Sequence, residues 1–335
     1  MSRYLYIILL ILISSCAKNV SRDYSNIDIE TINYKNITTE KKVIDEIYDP
    51  YLLYVIGGNI VVVNRNRNLP VLYCYDTIAL ELKNTYGSYG RARNEFLQVD
   101  ASPKANNDTT LCIYVNHHDC VELNISNNII SEESRISFTS DVENNAIIIN
   151  DSLTFSVIRD KDSPFKLYNY KTRKLETCFG IFPKSKIHTQ SIEDRDNVCN
   201  SSSVYNREHN VLFCIYESIP LIAIYDMKTL ELKKTINLDG VKEQISSIDK
   251  FYEDESIIYL IKPVATSGGV YAVLVNDNGN IIPKGMNIIK FDWYGNVLQG
   301  YHFDCFCPIY TITEENVFYG LCYKEDNLYL CRTPL

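Results

Sequence analysis

The sequence has little of what usually betrays a function. Basic residues are in the minority, 33 Lys and Arg against 42 Asp and Glu, for a formal net charge of −9. No basic cluster offsets this, which argues against nucleic acid as a partner and against adsorption to anionic headgroups. Outside one run near the amino terminus no apolar stretch approaches the ~20 residues of a spanning helix. Segments with helical period are scarce after residue 16, so neither a helical domain nor a Rossmann unit is expected. The chain contains no G-x-S-x-G elbow, P-loop, H-E-x-x-H or C-x-x-C, and its one Trp is Trp293. What it does have is 26 Tyr and frequent Ile and Val runs, all strand-forming residues. Its 335 residues are enough to bury a core without disulfide or metal staples.

The one apolar run is Tyr4 to Ile13, preceded by the basic start Met1-Ser2-Arg3 and followed by Ser14-Ser15-Cys16. Ten residues are too few to span a bilayer but suit the core of a signal peptide. Ile13-Ser14-Ser15-Cys16 resembles the bacterial lipobox, which implies cleavage after residue 15 and acylation of Cys16. Two or three acyl chains, at ~0.8 kcal/mol per buried CH2, would hold the protein firmly on a membrane. Losing residues 1–15 removes Arg3 and no acid, so the mature charge is near −10. Ala17-Lys18-Asn19 carries neither an Asp resembling inner-membrane retention nor an acidic surface-export run. The expected location is therefore the outer membrane, facing the periplasm. Residues 16–40 read as the lipidated cysteine and a polar tether, with a strand near residues 29–35.

Beyond the tether one pattern recurs: an apolar strand, an aromatic or aliphatic residue, Asp or Asn, a short polar turn, and another strand. It appears at Asp76, Asn124, Asn169, Asp226 and Asp292, separated by 48, 45, 57 and 66 residues. The side chain of Asp or Asn closes a hairpin turn, and spacings of this size suit four-stranded propeller blades. Further hairpins are expected around Asn150-Asp151 and Asn278-Gly279. Blades apolar on both faces must ring a channel, and residues 41–335 give room for six. The sixth would start at Tyr310, with the strand near residues 29–35 completing it. The expected fold is all-β, a six-bladed propeller of four-stranded antiparallel blades; seven blades or a pair of β-sandwiches are the competing readings. The marks of WD and kelch repeats are absent.

Residues 86–96 read Tyr-Gly-Ser-Tyr-Gly-Arg-Ala-Arg-Asn-Glu-Phe. This resembles the glycine-rich signature G-x-x-G-R-G-P-G-E-F of Bacteroidota six-bladed, TolB-like propeller lipoproteins. Gly87, Gly90, Arg91, Glu95 and Phe96 match, while Ala92-Arg93-Asn94 stands in place of Gly-Pro-Gly. The resemblance implies the fold and the envelope location, gives these residues a structural part, and implies little about activity.

Several groups invite chemistry. Asn116-His117-His118-Asp119-Cys120 looks metal-like, but adjacent strand residues point to opposite faces and the segment reads as a polar turn. After Cys16, ten cysteines remain, mostly inside strands, and are expected to be mainly reduced and structural, with one or two bridges allowed by an oxidising periplasm. Cys305-Phe306-Cys307 is expected to place two thiols on one strand face, a spacing suited to neither a zinc ribbon nor thioredoxin chemistry. No metal and no cofactor is assigned. Thr266-Ser267-Gly268-Gly269 reads as a flexible loop. Glu132, Glu133, Glu143, Asp194 and Asp196 are the carboxylates to weigh as a catalytic pair, against the commoner solvated loop acid. The tyrosines read as blade filling rather than a sugar-stacking platform. Asp76-Thr77-Ile78, Asp108-Thr109-Thr110 and Asp151-Ser152-Leu153 match a short Bacteroidota O-glycosylation sequon. The sequence thus favours a lipid-anchored, non-catalytic envelope module binding a protein or glycan. The alternative is a lyase or hydrolase with His, Arg and carboxylates converging at the channel mouth.

Overall fold

Four of the five repeated turn residues do the same physical job. Asp76 Oδ1 accepts from the Ile78 and Ala79 amides at 2.8 and 2.7 Å. Asn169 Oδ1 accepts from Lys171 and Thr172 at 3.2 and 3.0 Å. Asp226 serves Lys228 and Thr229, and Asp292 serves Tyr294 and Asn296, in the same way. Each turn then passes through one left-handed residue, Leu80, Arg173, Leu230 or Gly295. A shift in pairing register lies next to every turn residue, including Asn124, and such a bulge increases the local twist of the outer hairpin. A local sequence signal thereby fixes how each of these blades turns into its outermost strand.

The computed structural model describes residues 23–92, 95–100, 109–116, 119–126, 129–137, 146–150, 152–157, 162–277 and 285–335. They form a six-bladed β-propeller. Blade one is Pro50–Ile56, Asn59–Asn64, Leu72–Asp76 and Leu82–Tyr86. Blade two is Val99–Asp100, Thr110–Val115, Asp119–Ser126 and Ile129–Ser137. Blade three is Ile147–Ile148, Leu153–Val157, Phe165–Asn169 and Lys174–Phe179. Blade four is Ser201–Asn206, Val211–Tyr216, Leu221–Asp226 and Glu231–Asp239. Blade five is Ile258–Thr266, Gly269–Asp277, Met286–Phe291 and Val297–Phe303. Blade six takes Ile309–Ile312, Val317–Lys324 and Asn327–Pro334 from the carboxy-terminal end and Glu40–Val43 from the amino-terminal side. The first strands of blades four, five, six and one touch in turn, which places them innermost. No helix among the described residues is long and apolar enough to cross a membrane.

The closure differs from expectation. The ring is completed by Glu40–Val43, antiparallel to Asn327–Pro334, and not by residues 29–35. Ile29–Thr31 is a 3-10 turn capped by Asp28, whose carboxylate accepts from the Glu30 amide. Tyr34–Ile37 pairs in parallel with the outermost strand of blade five, and Asp23–Asp28 does the same on blade four. Those two blades therefore carry five strands. The expected tether is, from residue 23, a belt laid along the rims of blades four, five and six.

Six clusters of buried side chains hold the ring, each between two adjacent blades. Blades one and two share Val61, Leu72, Phe96, Ile113 and Val121. Blades six and one share Leu321 and Leu330 with Leu53, Ile60 and Tyr75, the contact that closes the circle. Blades two and three meet through the smallest described set, Cys112, Tyr114, Cys120, Ala146 and Tyr168. Many of the tyrosines fill these interfaces. Thr266 to Gly269 is a tight hairpin rather than a flexible loop: Trp293 Nε1 donates to the Thr266 carbonyl at 3.1 Å, and the Ser267 amide and hydroxyl bind Glu314.

Candidate functional site: a loop platform and a buried four-thiol cluster

The described residues of the glycine-rich segment, 86–92 and 95–96, lie at the passage from blade one to blade two. Gly87 has φ +74°, and a Cβ there would sit 2.7 Å from the Phe96 ring. Phe96 is fully buried in the blade-one/blade-two core. A Cβ on Gly90 would run into the Glu95 carboxylate, which accepts from the Ala92 amide at 2.7 Å. Gly90 N also donates to the Phe96 carbonyl. Arg91 is exposed. Cys16, His117, His118, Glu143, Asp108, Asp151 and the turn at residues 278–279 lie outside the described residues.

Among the described residues, the carboxylates weighed from sequence do not form a pair. Glu132 and Glu133 are consecutive on one strand; Glu132 holds Arg135 at 2.9 Å and Glu133 accepts from Asn124 at 2.8 Å. Asp194 and Asp196 share a short helix but are engaged separately, as described below. The three described histidines are scattered: His188 in a connector after blade three, His209 in a turn of blade four, and His302 on the outer strand of blade five. Polar groups beside the innermost strands are satisfied locally. Arg65 lies 3.1 Å over the Tyr51 ring and 3.7 Å from Asp100. Glu217 accepts from Ser202 and Asn200 at 2.8 and 2.9 Å. Lys262, whose burial pulls its pKa down, donates to the Pro308 carbonyl.

Two features stand out from the plain propeller. The first is a platform. In an antiparallel four-stranded blade, the connector to the next blade leaves on the opposite side from the turn joining the last two strands. Residues 180–200 and 240–257 are such connectors, and they fold together over blade four. Helix Ile192–Val198 starts with a capping box in which the Ser191 hydroxyl accepts from Asp194 N and the Asp194 carboxylate accepts from Ser191 N. Tyr252 from the second connector donates to Asp194 at 2.9 Å, and Asn197 donates to Tyr252 at 3.1 Å. The Tyr252 bond, with the cap bonds, lowers the Asp194 pKa. Asp196 instead holds Arg195, whose guanidinium lies 3.7 Å over Phe182. Gln244 bridges to Ser185 and to the Ser218 carbonyl. Ile187, Val198, Phe182, Ile245 and Phe251 root the assembly in the core between blades three and four. Left facing solvent are Ile181, Ile192 and Tyr252, at 46%, 41% and 52% exposure.

The second feature was not legible from cysteine spacing. Cys305 and Cys307, which lie in the connector from blade five to blade six and not on a strand, converge with Cys322 and Cys331 from two strands of blade six. All four are buried and their sulfurs lie within 4.8 Å of one another. Cys305–Cys307 and Cys322–Cys331 are each 3.7 Å. Thr39 Oγ1, next to the closing strand, is 3.4 Å from Cys305 Sγ. Hydrogen bonds from Cys307, Cys322 and Cys331 hold the Cys305 thiol well below its ordinary range, whereas the same shared proton pushes Cys307 up. Three cysteines elsewhere contrast with Cys305: burial raises Cys74 to about 11 and Cys199 and Cys214 to about 12, the mark of inert structural thiols. None of the ten described cysteines is in a disulfide. The only sequence hint was C-x-C followed by one cysteine in each strand of a hairpin.

No family model matches the sequence, and no curated protein matches it. Solved structures do. A member of the DUF4221 family from Bacteroides vulgatus superposes with a TM-score of 0.55 at 11% identity, over 88% of this chain and 98% of its own. A putative exported protein from Bacteroides fragilis gives 0.55 at 10% identity, over 94% of this chain and 100% of its own. At such identities the likeness is one of fold, and it extends over nearly the whole length of both proteins.

Proposed function

We propose that this chain is a lipid-anchored envelope propeller acting as a non-catalytic binding or scaffolding module, with the platform over blade four as its contact surface for a protein or glycan. The observation that carries the reading is the platform itself. Two long connectors are tied by a capping box, a Tyr–Asp–Asn chain and a buried root, and they present Ile181, Ile192 and Tyr252 to solvent among charged neighbours. An ordered surface of this kind loses little conformational freedom on binding, and exposed aliphatic and aromatic side chains are what interfaces bury. Anchoring through Cys16, at the outer membrane and facing the periplasm, rests on the sequence of residues 1–19. The TolB-like resemblance at residues 86–96 supports the same compartment.

The test is a photo-activatable side chain placed at residue 192, or at residue 78 in a turn on the opposite face, in cells producing the full chain. A discrete adduct from residue 192 and none from residue 78 is expected. Adducts from both positions alike, or none from residue 192, would remove the platform as the contact surface.

A further inference from the structure

We infer that Cys305, Cys307, Cys322 and Cys331 form a closed tetrathiolate site for one zinc-class divalent ion, which locks the ring where its first and last strands meet. A tetrahedral ion with metal–sulfur bonds of ~2.3 Å sets its sulfurs ~3.8 Å apart. Two opposite edges of the cysteine tetrahedron, Cys305–Cys307 and Cys322–Cys331, are already 3.7 Å, and every remaining edge is within 4.8 Å. A small contraction therefore completes the coordination sphere. Buried free thiols commonly pack as small hydrophobes, but packing alone gives no reason for four to converge from three separate pieces of chain.

The surroundings fit the ion as well. Gly320 lies on the strand that also carries Cys322, and a Cβ there would sit 2.8 Å from Cys307 Cβ and 2.7 Å from the Phe318 ring, so the absence of a side chain is what lets Cys307 approach. Thr39 Oγ1 lies 3.4 Å from Cys305 Sγ, and its hydroxyl, which donates to Asp304 here, has only to turn to give the thiolate the outer-shell hydrogen bond that orients a metal ligand. Binding is a balanced exchange: four S–H bonds break, four protons go to solvent, and four metal–sulfur bonds form with no change in oxidation state. The product carries two net negative charges. Lys41, 2.8 Å from Asp304 and within electrostatic reach of Cys305 and Cys331, lies beside them. With four protein ligands and no open position, the ion's role is structural rather than catalytic.

The location gives the site its purpose. It joins the connector from blade five to the two carboxy-terminal strands of blade six, while Thr39 and Lys41 come from the segment that supplies the closing strand. The experiment is a cobalt(II) titration of the full chain, purified under reductant without added metal. Saturation at one ion per chain is expected, with thiolate-to-cobalt charge-transfer absorption, tetrahedral ligand-field bands and displacement by zinc. Cys322→Ser and Cys331→Ser should abolish the signal, Thr39→Val should weaken affinity ~10-fold, and Cys178→Ser on blade three should change nothing. If the serine variants fail to fold, the wild-type titration alone decides. Absence of saturable uptake by the reduced, folded wild type overturns the site. So does envelope-isolated protein, acid-trapped, whose mass lacks four hydrogens because the tetrad exists as two disulfides.

Discussion

At Gly320 a single hydrogen in place of a methyl decides how closely the connector carrying Cys307 approaches blade six. Gly320→Ala would press on Cys307 Cβ and the Phe318 ring, both in the core between blades five and six. Overpacking of this kind costs ~1–3 kcal/mol, and a lowered urea midpoint with unchanged slope would register it. Asp226 makes a residue-scale prediction of another sort. The Lys233 ammonium 2.7 Å away, followed by the turn amides of Lys228 and Thr229, holds its carboxyl below the usual range. A folded pKa below the unfolded one gives stability that is present above about pH 4 and lost as pH falls through the folded value. Asp226→Asn keeps the turn acceptor, as Asn169 does in blade three, but removes the titration. Its stability should therefore decline less steeply below about pH 4 than that of the wild type; parallel acid limbs would refute the assignment.

Among the elements, the hairpins were readable and the belt was not. Asp76, Asn169, Asp226 and Asp292 announce their turns because donor and acceptor lie two to four residues apart, a distance a sequence can show. Glu40–Val43 has no such local mark. It is a short, charged strand on the rim, and its partner lies almost three hundred residues away. Residues 29–35 looked more strand-like, yet the Asp28 cap turns the chain at Ile29–Thr31. The thiol tetrad escaped notice for the same reason: its four members come from a connector and two strands, and only tertiary structure brings them together. Asp304 is the clasp of this region, accepting from Thr39 N and Oγ1 at 3.3 and 3.0 Å and from Lys41 at 2.8 Å. Asp304→Ala should cost ~1–3 kcal/mol. Faster amide exchange should appear first in residues 34–43; uniform acceleration across the ring would mean the belt is not separately held.

For the whole molecule, cysteines happen to report on most of the interfaces. Cys112 and Cys120 lie between blades two and three, Cys74 between one and two, Cys214 between three and four, and the tetrad between five and six. The described contact between blades two and three is the smallest, so it should open first under denaturant. Thiol labelling in stepwise urea should modify Cys112 and Cys120 before Cys214; simultaneous labelling would show instead that the ring fails as one unit. The proposed lipid attachment would also act on the whole chain. Cys16→Ala should move the protein from membranes to the soluble fraction, and persistent membrane association would sink the lipid anchor. Between Cys16 and the first belt strand at Asp23 the chain reaches at most ~25 Å, so the anchored domain would stay close to the bilayer.

The belt also sets an order in time. Residues 23–43 are made early, but their partners at residues 231–239, 297–303 and 327–334 come late. Until those arrive, the segment waits as unpaired backbone, open to chance pairing with other chains. The late strands are therefore the ones that allow the early segment to find its place, and the ring has no closed state before residues 327–334 are made.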